Sequence, residues 1–112
     1  MKNNKKSHQE LIFEKGAYKG LSSEEIKGKL RKDGLRPELV NEPANTSESP
    51  HTHAQGYVVV HIRGSMTVSS TDRDYEMQPG DKITIPPEVD HTADFGGEGS
   101  QYLWAEYAII VE

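Results

Sequence analysis

The chain has no cysteine among its 112 residues. That excludes disulfides, thiolate metal sites and cysteine nucleophiles together. Apolar residues are scarce at 33%, and aromatic ones make up only 7%. Basic residues are outnumbered, 13 Lys and Arg against 18 Asp and Glu, which gives a formal charge of −5. A general nucleic-acid binder is expected to be basic, so no nucleic-acid partner is expected. Long apolar runs are missing too. The longest, around Tyr107 to Val111, is far short of the ~20 residues that span a bilayer, so no membrane partner is expected. The basic start, Met1 to Lys6, leads into Ser7-His8-Gln9-Glu10 and not into the apolar stretch of a signal peptide. One soluble, cytoplasmic domain is the expectation.

What is present is punctuation. Ten Gly and six Pro point to a turn-rich fold rather than a helical bundle. Residues 1–10 carry no apolar side chain after Met1 and are expected to be a disordered tail. Residues 11–34 form an amino-terminal extension, with Leu11 to Phe13 as a short strand and one helix over about 22–33. Ser22 as N-cap puts Glu25 at the third helical position, where the pair can satisfy each other's backbone N–H, while Leu21 and Ile26 form a hydrophobic staple. Gly34 is the stop.

From residue 35 to 112 the pattern is that of strands. Leu35 to Val40 contains Pro37 and belongs at an edge. Residues 41–50 read as a polar loop. Gly56 to Arg63 is the clearest strand, ended by Gly64, and Ser65 to Ser70 is another. A hairpin tip at Thr71 to Asp74 returns through Tyr75 to Gln78, and Pro79-Gly80-Asp81 makes a tight turn. Lys82 to Pro86 and His91 to Phe95 follow as strands, Gly96 to Gly99 as a loop, and Tyr102 to Val111 as the closing strand. Short strands at this spacing imply an all-β sandwich or barrel.

Four of the five histidines, His51, His53, His61 and His91, lie on these elements. Residues i and i+2 of an extended chain share a face, so His51 and His53 can aim at one point. His91, after a Pro-punctuated turn, is the candidate third ligand. An isolated His-x-His is equally well a solvated pair, so the flanking residues decide. His51 and His53 are followed by Tyr57 and then, after six residues, by Gly64. Gly80 is followed after five residues by Pro86, and His91 lies five positions beyond Pro86.

These residues resemble the two motifs of the cupin superfamily, G-x5-H-x-H-x3–4-E-x6-G and G-x5-P-x-G-x2-H-x3-N, as found in small single-domain bacterial cupins. The resemblance covers residues 35–112 and implies a double-stranded β-helix, a jelly-roll-like antiparallel barrel, with His51, His53 and His91 on a divalent metal. Three positions depart from the pattern: Asn45 replaces the first Gly, Glu88 the later Gly, and Phe95 the closing Asn. The departure that touches the chemistry is Tyr57, which stands where the Glu ligand would be. Three neutral imidazoles would leave the metal its full charge and open positions. Imidazole suits Fe, Zn, Cu and Ni, and the resemblance to three-His iron cupins ranks Fe(II) ahead of Zn and Ni.

Strand parity completes the expected site. If His51, His53 and Tyr57 face inward, Val58, Val60 and Ile62 face outward and need covering, either by the helix or by a second subunit in a homodimer. On the closing strand Tyr102, Trp104 and Glu106 share one parity. Glu106 would then be the only carboxylate on a barrel wall and, with Tyr57, a candidate catalytic residue. A solvated Glu106 is the simpler reading. His61 reads as an interior histidine held by hydrogen bonds rather than a ligand. The functional expectation is a metal-dependent, dioxygenase-like enzyme acting on a small molecule. The alternatives are a non-catalytic metal or small-ligand binding module and a metal-independent isomerase or epimerase.

Overall fold

The structure, a computed structural model, describes residues 10–107. The tail expected over 1–10, apart from Glu10, and the Ala108 to Val111 part of the closing strand lie outside the described residues. In chain order the elements are β1 (Ile12–Glu14), α1 (Ser23–Lys32), β2 (Glu38–Glu42), β3 (Thr46–His51), β4 (Gly56–Ser69), β5 (Asp74–Met77), β6 (Lys82–Ile85) and β7 (His91–Tyr107). All strand pairs are antiparallel. None of the described helices is long and apolar enough to cross a membrane.

The helix starts and stops where local chemistry dictates. Ser22 Oγ accepts from the Glu25 N–H at 3.1 Å, and the Ser22 N–H donates to Glu25 Oε1 at 2.9 Å, which closes the capping box. At the other end Gly34 takes φ +86, its N–H donates to Arg31 O at 2.9 Å, and the Leu35 N–H donates to Leu30 O at 3.0 Å. These two bonds satisfy carbonyls the last turn would otherwise leave open.

Two long strands organise the sheet. β4 has 14 residues and β7 has 17, and they pair along their length with register shifts between His61 and Arg63 and between Gly64 and Met66. One half of the molecule is the order β1-β6-β4-β7-β2, built on Gly56 to His61 of β4 and Tyr102 to Tyr107 of β7. In the other half Met66 to Ser69 of β4 pairs with β5, and the start of β7 pairs with β3. The two halves meet at Gly64. It has φ +89, and a Cβ there would collide with the carbonyl oxygen of Gly99. Only a residue without a side chain lets the two long strands turn together at this point.

This corrects three sequence expectations. Gly64 bends one strand instead of ending it. Gly96 to Gly99 is an excursion inside β7, where the pairing advances two residues on β4 (Gly64 to Met66) against five on β7 (Ser100 to Phe95). The polar loop expected at 41–50 instead contains the end of β2 and nearly all of β3. Pro37 does precede an edge strand, since β2 ends the order.

Two apolar clusters follow from strand parity. Between the halves, Val59, Ile83, Ile85 and Tyr102 of the first pack with Met66, Val68, Met77, Ala93 and Phe95 of the second. On the outer face of the first half, Val58, Val60 and Leu103 pack against Ile26 and Leu30 of α1. The apolar outer face is therefore covered within one chain. Each fully buried side chain of this kind contributes about 1.5–3 kcal/mol, which offsets the ~1 kcal/mol that Gly28 costs inside the helix.

Candidate metal centre

His51 ends β3 and His91 begins β7, and they are register partners across the sheet. His53 lies two residues past β3, outside any strand. Its carbonyl accepts from the Glu88 N–H at 2.8 Å, which ties the residue to the turn that leads into His91. Glu88 adopts φ +64 and Asn45 φ +59. These are the two places where a glycine was expected, and both keep the glycine backbone without the glycine.

The three imidazoles converge. Ring centroids are 4.7 Å apart for His51 and His53, 4.3 Å for His51 and His91, and 5.3 Å for His53 and His91. One ligand nitrogen from each lies within 4.8 Å of the others, the one His, Asp and Glu cluster of this kind among the described residues. Two rings are fixed by backbone carbonyls: His51 Nδ1 donates to Ser49 O at 2.6 Å, and His91 Nδ1 to Val89 O at 2.9 Å. A carbonyl only accepts, so each Nδ1 carries a proton, and in the neutral ring the lone pair is on Nε2. Outer hydrogen bonds of this kind set tautomer and ring orientation in metal sites. Burial first, then the neighbouring His51, lowers the pKa of His53. Burial is also the main cause at His91, helped by both other histidines and opposed by the Val89 bond and the charge of Glu48. Neutral imidazole is the form that binds a metal. The donor set thus fits a divalent transition metal: His51, His53 and His91 are placed so that they can hold one.

Tyr57 stands beside this cluster and not within it. Its ring meets His53 edge-on at 4.7 Å and stacks on Trp104 at 4.6 Å with an interplanar angle of 8°. The stacked pair walls a cleft of about 460 Å³, completed by Arg36, Glu38, Glu106 and Tyr107. That volume suits a small ligand. Glu106 is the register partner of Tyr57 and so shares its face, but it is exposed at the open end of the cleft.

Glu106 is not the only carboxylate on the inner wall. Tyr102, buried in the core between the halves, donates its hydroxyl to Glu42 Oε2 at 2.8 Å, and burial together with that carboxylate pushes the phenol pKa up. Glu48 Oε1 stands 3.9 Å from His51 Nε2. Both glutamates fall in the stretch expected to be a loop, and it is their pairing with Ser100 and Ala93 of β7 that gives them a face. His61 is fully buried and outside the cluster. One ring nitrogen bonds Gly64 O at 2.9 Å, the other has no partner, and burial lowers its pKa.

No curated protein matches the sequence. Among solved structures, the chain resembles a cupin-2 domain containing protein from Shewanella frigidimarina (TM-score 0.56, 22% identity, 64% of this chain and 69% of that one). It also resembles a cupin superfamily protein from Desulfitobacterium hafniense (TM-score 0.59, 15% identity, 67% and 68%). A third likeness is to the DMSP lyase DddQ from Ruegeria pomeroyi (TM-score 0.61, 16% identity), covering 70% of this chain but 40% of that one. At such identities the likeness is one of fold. The family model that describes an AraC-like ligand binding domain matches residues 39–108, well over half of the chain. The chain belongs to the AraC-like ligand binding domain family, within the cupin superfamily.

Proposed function

We propose that this protein is a metal-dependent cupin enzyme that acts on a small molecule, with Fe(II) preferred over Zn or Ni at His51, His53 and His91. The observation that carries the reading is the orientation of His51 and His91. Each spends its Nδ1–H on a backbone carbonyl, which leaves Nε2 free within a cluster of three converging imidazoles. A bound Fe(II) would supply Lewis acidity and open coordination positions for O2 and substrate. The chain's own residues do the rest. Tyr57 and Trp104 offer an aromatic wall to the cleft, and the Tyr57 ring, edge-on to His53, is what joins that cleft to the histidine cluster.

Elemental analysis of protein purified anaerobically tests this. About one Fe per chain is expected, and His51→Ala is expected to abolish uptake while the far-UV spectrum stays that of the folded protein. Absence of metal from every preparation, including one reconstituted with Fe(II), Zn(II) or Ni(II), overturns the reading.

A second reading, a non-catalytic ligand-binding module, is favoured by the family match to a ligand binding domain. Trp104 is the one tryptophan in the chain and lines the cleft, so its fluorescence reports occupancy without turnover. Because α1 covers the apolar outer face, a homodimer would have to form elsewhere. The exposed Ile12 and Leu39 lie on β1 and β2, the two end strands of the first half, and a light-scattering mass of one or two chains decides.

A further inference from the structure

The family motif supplies its carboxylate ligand after the His-x-His pair, and this chain has Tyr57 there. We infer that Glu48, three residues before His51, supplies the missing carboxylate to the metal face. The inference rests on the metal reading above and adds a donor that the motif does not contain.

Three observations support it. The first is register. Glu48 pairs with Ala93 and His51 pairs with His91, so β3 advances three residues where β7 advances two. A regular strand would put residues 48 and 51 on opposite faces. The extra residue of the bulge turns both to the same face, a known use of bulges beside functional sites. The second is direction. Ala93 is buried in the core between the halves, so its cross-strand partner Glu48 starts on the inner face. The third is distance. Glu48 Oε1 is 3.9 Å from His51 Nε2, the same nitrogen that the Ser49 carbonyl leaves free. Two donors that share an ion at bonds of about 2.0–2.2 Å stand roughly 3.4 Å apart in a tetrahedron and roughly 4.2 Å apart when opposite. The observed separation falls inside that interval. Glu48 stands outside the set of three imidazoles that lie within 4.8 Å of one another, so its carboxylate must turn toward His53 and His91 to close on an ion, and its exposed side chain has room to do so without disturbing the core.

A carboxylate here changes the site's chemistry. It neutralises one unit of metal charge, and it does so from β3, on the strand that carries His51, while Tyr57 keeps its place between His53 and Trp104.

The test is metal affinity, read by competition with a chromophoric chelator using Zn(II) and Co(II) as probes. Glu48→Gln is expected to weaken both at least tenfold and to alter the visible Co(II) spectrum, because a ligand atom has changed. Glu76→Gln, which removes the same charge from an exposed position on β5, is expected to leave affinity and spectrum unchanged. Wild-type affinity and an unaltered Co(II) spectrum in Glu48→Gln overturn the assignment. So does equal weakening in Glu76→Gln, which would mark a general field effect. A wild-type chain that binds neither metal overturns the metal reading itself along with this one, so the two failures are distinguishable.

Discussion

The half of the molecule that carries α1 and the half that carries β3 solve different problems with the same two long strands. In the first, Val58, Val60 and Leu103 lie under Ile26 and Leu30, and every one of these side chains is nearly or fully buried. In the second, β3 is Thr46-Ser47-Glu48-Ser49-Pro50-His51, polar but for Pro50. Such a strand has little to gain by burial. It is held by backbone pairing to β7, and what it presents inward is ligand chemistry. The face under α1 should therefore respond to mutation in stability, and β3 with the histidine cluster in metal binding, while Met66, Val68 and Phe95 of the second half belong to the shared core.

Gly64, where the halves meet, is the largest test. An alanine there takes up backbone strain of about 1–3 kcal/mol and a forced shift against Gly99 of similar size, about 1–3 kcal/mol. The expected loss of about 2–6 kcal/mol is comparable with the whole stability of a small domain. Denaturant melts of Gly64→Ala check it, and a wild-type midpoint would mean that the strands do not need this close approach.

Leu30→Ala comes next, with an expected loss of about 2–5 kcal/mol for a fully buried leucine. The contrast with His91→Ala separates the halves. Leu30→Ala should lower the unfolding midpoint and leave Zn(II) affinity unchanged once folded. His91→Ala should cost metal binding far more than it costs metal-free stability. If both variants lose metal and stability in parallel, the division between the halves fails.

The same contrast explains what could be read from the sequence. The α1 half is written in local signals: the Ser22–Glu25 capping box, Gly34 as stop, and the apolar run Val58 to Val60 of β4, whose odd and even residues take opposite faces. The three histidines were also legible, because their spacing on either side of Gly64 and Gly80 is a local pattern. β3 was not legible. Its ladder is made by β7, some 45 residues downstream, and apart from Thr46 nothing in Thr46 to His51 favours a strand by propensity. Losing the strand meant losing its bulge, and with it Glu48. Gly96 to Gly99 hid the continuity of β7 for the same reason: glycine reads as loop, while here pairing on both sides carries the strand through. Asn45 and Glu88 show the reverse. The sequence departs from glycine, yet the backbone keeps the positive φ.

Acid should reach both halves. Burial lowers the pKa of His61 in the fold, and of His53 and His91 in the metal-free cluster. A histidine lowered in the folded state takes up its proton more readily when unfolded. Its contribution is therefore intact above the unfolded value of about 6.5 and is lost as pH falls toward the lower folded value. Metal-free protein should lose stability below about pH 6.5. His61→Gln should flatten that slope without changing metal affinity, since His61 lies outside the cluster. Saturating Zn(II) should add an acid-dependent loss of its own, as protons compete for the His53 and His91 nitrogens. Thermal melts from pH 5 to 8, with and without Zn(II), check both, and a slope unchanged in His61→Gln would place the titration elsewhere.

The smallest effect is expected at Glu88. A side chain at φ +64 costs about 1–2 kcal/mol that glycine would not, while glycine gives back about 0.4–1 kcal/mol through the greater freedom of the unfolded chain. Glu88→Gly should therefore stabilise by roughly 0.5–1 kcal/mol, a rise in Tm of about 2–8 °C by the usual scaling for a domain of this size. Metal affinity should stay the same, because the contact that positions His53 is the backbone N–H of residue 88, which glycine retains. A fall in Tm would show that the glutamate side chain contributes more than the strain it imposes. A fall in Zn(II) affinity would show that it acts on the cluster directly, and the carboxylate inventory of the metal face would then extend from β3 to the turn before His91.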